Sequence, residues 1–155
     1  MAYATTTRII NAPLSKVWNA WDDFGDIYKF NPNLKGSHLL PGSVSTGLGA
    51  ERQCDLTDGN SLKERLTRYQ PERLLEVEVF EHNLPVKKMV ALVEFKAISI
   101  RKTEVCMTLT FTPRMGVLGR IMGPIMSKMM KKPISELLKG NAEFVESGKM
   151  LNVAA

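Results

Sequence analysis

The sequence predicts an α+β fold in which a curved antiparallel sheet wraps around a long C-terminal helix. Three observations predict this fold. Residues 116–149 place apolar side chains at steps of three and four, which is typical of one stripe of a helix. Residues 49–113 alternate apolar and polar side chains, with turn residues between the segments. Strands joined by short turns pair antiparallel, and the helix supplies the apolar stripe that covers one face of the sheet.

The N-terminal third adds the first strand and short helices. Residues 3–10 are rich in β-branched side chains and predict a strand. Pro13 in a first turn starts a helix that runs through residues 14–24. Residues 25–32 form a connection with room for a second small helix, and residues 34–40 predict the next strand. The sheet then has about seven strands.

The long helix carries two features with more than one interpretation. Pro124 and Pro133 should kink it or divide it into shorter helices. Its methionine stripe is either ordinary core filler or a deformable wall around an apolar cavity; these residues are Met122, Met126, Met129 and Met130. Its lysine cluster is favoured as a solvated face over a membrane contact; it comprises Lys128, Lys131 and Lys132.

Composition sets the class of protein. The chain has 155 residues, 44% hydrophobic and 24% charged, which fits one globular domain over residues 1–155. We see no apolar run of 18 residues and no secretory signal, so we expect a cytoplasmic protein in which Cys54 and Cys106 are free thiols. The net charge of +5 permits anionic contacts without requiring nucleic acid. His38 and His82 lack metal-ligand spacing, and no nucleotide-binding motif is present, so neither metal nor cofactor is expected.

One charged pair stands out on the predicted sheet. Glu64 shares its strand face with Leu62 and Leu66, and Arg52 shares its face with Cys54 and Leu56. If residues 58–60 form a three-residue loop, Cys54 opposes Glu64, and Arg52 lies diagonal to that carboxylate. A core-facing charge pair is tolerated only if the two charges neutralise each other or a ligand or water shares them. The alternative is a solvated bridge on the outer face.

Short motifs along the chain resemble a known superfamily. They are Ile10-Asn11-Ala12-Pro13, Lys16-Val17-Trp18, Asp23-Phe24, Gly49-Ala50-Glu51-Arg52, Asp58-Gly59 and Glu64-Arg65-Leu66. Together with the order of elements, they resemble the START-like, birch-pollen-allergen-like (SRPBCC) superfamily, in its polyketide cyclase/dehydrase branch. The resemblance implies a helix-grip fold with a hydrophobic cavity between sheet and long helix, toward which Arg52 and Glu64 project. The gate proline of the related plant hormone receptors is absent, which disfavours hormone reception.

From these observations we predict a protein that binds, and in a carrier role transports, a small hydrophobic ligand such as a lipid, isoprenoid or aromatic polyketide. The predicted ligand-binding residues are Arg52, Glu64, Leu66, Val77, Val79, Met89, Val93, Phe95, Met107, Leu109, Met122, Met126 and Met129. The alternative is a cyclase or dehydratase using the same cavity, with Glu64 or His38 as candidate catalytic groups. Binding is favoured over catalysis. A nucleic-acid partner is not expected, a membrane surface is not favoured, and the oligomeric state is left open.

Overall fold

The computed structural model describes residues 2–114 and 116–150 of the chain. Its elements, in chain order, are β1 Ala2–Ile10, α1 Leu14–Asp22, a 3-10 helix Phe24–Lys29, β2 Leu34–Leu39, β3 Glu51–Leu56, β4 Ser61–Gln70, β5 Leu74–His82, β6 Val86–Ser99, β7 Lys102–Pro113 and α2 Gly116–Ser147. The seven strands form one antiparallel sheet in the order β1-β7-β6-β5-β4-β3-β2. The predicted α+β class, with a seven-stranded sheet and a long C-terminal helix, is confirmed.

One face of the sheet, called the inner face below, is apolar because its strands alternate in phase with one another. Val77 on β5 pairs with Ala91 on β6, which pairs with Leu109 on β7, which pairs with Ala4 on β1. All four side chains are buried. Side chains that face each other across paired strands share a face, so the register carries this apolar row across the sheet.

The β3–β4 hairpin corrects the predicted register by two residues. Leu56 and Asn60 flank the loop, with the Leu56 amide donating to the Asn60 carbonyl at 2.8 Å. The loop therefore spans residues 57–59, and Gly59 takes its last position at φ +94°. A left-handed residue is expected at that position of a three-residue hairpin loop. Arg52 consequently lies directly opposite Glu64, not diagonal to it, while both keep their predicted face.

The first helix and the 3-10 helix close one end of the inner face. Trp18 and Trp21 pack edge-on against Phe95 with ring centroids 5.2 Å and 6.1 Å away. Asp22 accepts hydrogen bonds from the Tyr69 hydroxyl at 2.6 Å and the Thr46 hydroxyl at 2.8 Å. These contacts fix α1 on the sheet and bring the 3-10 helix beside β2 and β3.

The C-terminal half of α2 packs on the core. Its buried side chains are Ile134, Leu137, Leu138, Asn141, Ala142 and Val145. The Asn33 amide donates to the Pro133 carbonyl at 2.9 Å, and Glu146 accepts from the Asn11 backbone at 2.7 Å. Pro124 and Pro133 both lie inside one continuous helix, so the alternative in which they divide it into shorter helices is wrong.

The sequence predicts that the apolar stripe of α2 covers the sheet. In the N-terminal half of the helix, most of the large residues of the stripe do not lie on the sheet. Met122 is 42% exposed and Met129 67%, whereas Gly123 is buried, and a Cβ added to it would lie 3.7 Å from the Cβ of Ala2. The side of the helix that carries Gly123 therefore faces β1, and the side chains of Met122 and Met129 point away. No helix in the described part of the chain is long and apolar enough to cross a bilayer.

Candidate functional site

A buried ion pair lies at one end of the inner face. The Arg52 Nε donates to Glu64 Oε2 at 2.6 Å, and the Arg52 Nη1 donates to the Phe24 carbonyl at 3.0 Å. The guanidinium also lies 4.0 Å from the centroid of the Phe24 ring. The Arg52 side chain is 6% exposed and that of Glu64 13%. The prediction of a core-facing pair is confirmed in its geometry, and the solvated alternative is wrong.

The surroundings of the ion pair favour the charged form of the Arg52 guanidinium. Burial is the largest single influence and lowers the pKa of the Arg52 guanidinium, but Glu64 and Cys54 together outweigh it and hold this pKa above its ordinary value. The two hydrogen bonds that Arg52 donates use two of its five N–H groups. Within the described residues, both hydrogen bonds that reach the Glu64 carboxylate end at Oε2. Oε1 is thus left as an acceptor.

Cys54 is a member of this site that the sequence interpretation missed. Its thiol is buried and donates to Glu64 Oε2 at 3.4 Å. Burial and the adjacent carboxylate raise the pKa of the Cys54 thiol well above its ordinary range, so the group is a proton donor and not a nucleophile. The predicted register already sets Cys54 opposite Glu64, but the sequence interpretation treats Cys54 only as a free thiol and not as a residue of the site.

The register brings ten of the predicted binding residues onto the inner face. Arg52 pairs with Glu64, which pairs with Val79, which pairs with Met89 in one row across four strands. The neighbouring rows add the remaining strand residues, namely Leu66, Val77, Leu109, Val93, Met107 and Phe95. The apolar members of the set are each 1–7% exposed. On its other side Arg52 pairs with Leu39 of β2, so the ion pair lies within a row that is otherwise apolar.

The other predicted residues do not all lie on the inner face. Met126 is half-buried and packs against the core, but Met122 and Met129 are exposed on the far side of α2. His38 is exposed and pairs with Gln53, whose position on β3 alternates with those of Arg52 and Cys54. His38 therefore lies on the outer face of the sheet, away from Glu64.

Two interior polar groups were not anticipated from the sequence. Asn141 on α2 is 0% exposed, and neither its amide nitrogen nor its oxygen has a hydrogen-bond partner in the described residues. The Trp21 indole N–H is also buried, with no partner in the part of the chain that the structure describes. Unsatisfied buried groups cost about 1–3 kcal/mol each, and native interiors satisfy most of them with protein, water or ligand. The sequence gives one sign of the buried Asn141, because this polar residue stands between Leu138 and Val145 on an apolar helix face.

An open groove lies outside the predicted site. The groove, of about 820 Å³, runs between β1 and the N-terminal half of α2, and none of the predicted binding residues lines it. Its charged lining is wholly basic, from Lys87, Arg120, Lys128 and Lys131. No group of three or more histidine, cysteine, aspartate or glutamate side chains in residues 2–114 and 116–150 is arranged to hold a metal ion.

The sheet, the long C-terminal helix and the inward ion pair define a START-like helix-grip protein. The chain belongs to the family described as polyketide cyclase/dehydrase and lipid transport, whose model matches residues 1–146. The resemblance to this branch of the superfamily is confirmed. Among curated protein sequences, none matches this chain.

Solved structures share the fold at low sequence identity. A START superfamily protein from Mycobacterium smegmatis superposes with a TM-score of 0.80 at 14% identity, covering 96% of this chain and all (100%) of that one. The protein XoxI from Bacillus cereus gives 0.79 at 21% identity, covering 95% and 97%. The Zhui aromatase/cyclase from Streptomyces sp. R1128 gives 0.78 at 14% identity, covering 93% of each chain. Likeness at these identities establishes the fold.

Proposed function

We propose that the protein binds a small hydrophobic molecule between the inner face and α2, with the Arg52–Glu64 pair holding one polar group of that molecule. The observation that carries the proposal is the ion pair itself, buried within an otherwise apolar row, where the hydrogen bonds to the Glu64 carboxylate in the described residues end at Oε2 and leave Oε1 as an acceptor. Ligand pockets typically combine an apolar lining with a few placed polar groups.

Two further observations support an interior ligand. Trp21 and Asn141 present buried polar atoms that have no partner among the described residues, and a ligand or water would satisfy them. Met126 and Met130 are only half-buried against the core, so this part of the helix wall is not sealed. Flexible methionine side chains repack around ligands of different shape. A lipid, an isoprenoid or an aromatic polyketide fits this chemistry, and a carrier role is part of the proposal.

The test compares an alcohol with an alkane of the same length. 1-Decanol and decane would each displace the neutral fluorescent probe N-phenyl-1-naphthylamine from the protein. We expect the affinity of 1-decanol relative to decane to be about tenfold higher than the difference in hydrophobicity of the two molecules predicts. The reason is that the hydroxyl donates to Glu64 Oε1. In the variant Arg52→Met/Glu64→Leu this extra preference disappears while the probe still binds.

The matched control is Glu51→Leu/Arg65→Met, which removes an exposed ion pair of 2.7 Å from the same two strands. It should leave the alcohol preference unchanged. An unchanged preference in the inner-pair variant would remove the anchoring role. Failure of the parent protein to bind the probe at all would remove ligand binding itself.

A second candidate function is a cyclase or dehydratase in the same interior. It is favoured by the position of the Glu64 carboxylate on the inner face, within reach of a bound molecule, and by the fold shared with the Zhui aromatase/cyclase. Glu64 would then move a proton at Oε1, whereas His38 points away and takes no part. Glu64→Gln should abolish turnover of a poly-β-keto thioester. Turnover is measured by chromatography of the products. Turnover at the parental rate in that variant would exclude this role.

A further inference from the structure

The N-terminal half of α2 presents a large apolar face to solvent. This face, called the outer stripe, consists of Leu118, Ile121, Met122, Ile125 and Met129, which are 57%, 67%, 42%, 54% and 67% exposed. Val117 beside it is 77% exposed. A contiguous exposed apolar surface of this kind marks an interaction site.

The helix is turned so that the outer stripe cannot reach the sheet. Gly123 is buried against Ala2, and at about 100° per residue it lies about 200° around the helix from Ile121 and from Ile125. The inner side of this half carries Gly123 together with Met126 and Met130, which pack against the core. The stripe is therefore free for a partner outside the chain.

The charges around the stripe are of one sign. Residues 105–135 contain Arg114, Arg120, Lys128, Lys131 and Lys132 and no aspartate or glutamate. This segment carries the whole formal net charge of +5, since the rest of the chain holds equal numbers of acidic and basic residues. Arg120, Lys128 and Lys131 line the groove beside the stripe, and Lys87 of β6 joins them there. The partner should be apolar in its depth and anionic at its surface.

We propose that the outer stripe and its flanking cations dock this protein onto an anionic phospholipid bilayer. The stripe enters the boundary between headgroups and acyl chains, and the cations meet the headgroup phosphates and carboxylates, as in helices that lie in the interface. A second copy of the chain would set two acid-free basic segments against each other, which is repulsive. A nucleic acid would leave the stripe in water.

The docking would also place the ligand interior next to the membrane. Around the helix from the stripe, Met126 and Met130 are half-buried and pack against the core. They provide a continuous apolar surface from the outer stripe toward the inner face. The docking proposal does not depend on the proposed ligand, since bilayer binding is measured without one.

The experiment is co-sedimentation of the full chain with vesicles of phosphatidylcholine alone or with about a third phosphatidylserine. We expect binding to the anionic vesicles that weakens at high salt, because salt screens the exposed cations. Leu118→Ser/Ile125→Ser should abolish it. Lys128→Gln/Lys131→Gln/Lys132→Gln should weaken it on the order of 100-fold, at about fivefold per cation near the surface.

Matched controls use exposed residues elsewhere. Ile98 and Ile100, 49% and 89% exposed at the β6–β7 turn, give the apolar control Ile98→Ser/Ile100→Ser. Lys16→Gln/Lys35→Gln/Lys96→Gln gives the charge control. Both controls should bind like the parent. Equal losses in the controls and the test variants, or equal binding to neutral vesicles, would overturn the proposal.

A depth measurement separates insertion from adsorption. Ile125→Cys in a Cys106→Ser background carries an environment-sensitive fluorophore, and the buried Cys54 thiol stays unlabelled. Anionic vesicles should shift its emission to shorter wavelength, whereas a label placed by Ile100→Cys should not respond. A label at 125 that stays in water would refute bilayer docking. A dimer of this chain that buries the stripe, detected by sedimentation, would refute it as well.

Discussion

Glu64→Gln should lower the free energy of unfolding by about 3–5 kcal/mol. The Arg52 guanidinium is 6% exposed and has the Glu64 carboxylate at 2.6 Å as its counter-charge. The variant keeps the shape of the side chain but leaves a buried positive charge without a partner. Removing one member of a buried pair costs far more than the pair itself contributes, because the remaining charge stays out of water. Urea unfolding monitored by tryptophan fluorescence measures the loss, provided that the slope with denaturant is unchanged.

The hairpin supplies its own control. Glu51 and Arg65 pair across the same two strands at 2.7 Å, but their side chains are 31% and 45% exposed. Glu51→Gln should therefore cost at most about 1 kcal/mol. Arg52→Met/Glu64→Leu should recover most of the stability that Glu64→Gln loses, because no uncompensated charge remains. Equal costs for the two glutamine variants would show that Arg52 is not desolvated in solution.

The sequence predicts the strands of this fold well because one buried face imposes a period of two. The alternation of side chains along the strands placed Arg52 and Glu64 on the inner face, even though the predicted register of the β3–β4 hairpin was wrong. Residues 57–59 and 58–60 both offer a three-residue loop around Gly59. Moving such a loop by one residue shifts the pairing by two, which preserves the face of every side chain. The face is thus encoded by many residues, whereas the register depends on the place of one glycine in its turn.

The helix shows where periodicity stops being informative. Apolar residues recur at three- and four-residue steps through its whole length, but the N-terminal half has two apolar sides. One side continues through Met126 and Met130 to Ile134 and the buried half, and the other ends at Met129. The step from Met129 to Ile134 turns about 140° around the axis. The side that meets the sheet is the one with Gly123, Met126 and Met130, and the spacing of large residues does not reveal which of the two sides this is.

The polar interior was the least predictable part. Asn141 takes a fully buried position among apolar helix residues, and its lack of partners within the described residues follows from the surrounding packing. Cys54 was visible as a buried strand residue, but its contact with Glu64 depends on the register. Individual polar contacts are set by a few ångströms of tertiary geometry, whereas the apolar face is set by repetition.

Leu138→Ala should cost about 2–5 kcal/mol of unfolding free energy, and Leu118→Ala should change it by no more than about 0.5 kcal/mol. Both are leucines inside α2, so the change in helix propensity is the same and favours alanine slightly in each. Leu138 is 1% exposed in the core, whereas Leu118 is 57% exposed on the outer stripe. Only the first substitution removes buried methyl groups and leaves a cavity.

The difference between these two variants decides what the N-terminal half of α2 is for. If urea unfolding gives a large cost at 138 and almost none at 118, the outer stripe does not hold the fold together. Five large apolar side chains in water then need a partner to account for them. If Leu118→Ala costs as much as Leu138→Ala, the stripe is packed against the chain in solution. In that case the helix is a core element along its whole length, and the exposed surface that the membrane proposal requires does not exist.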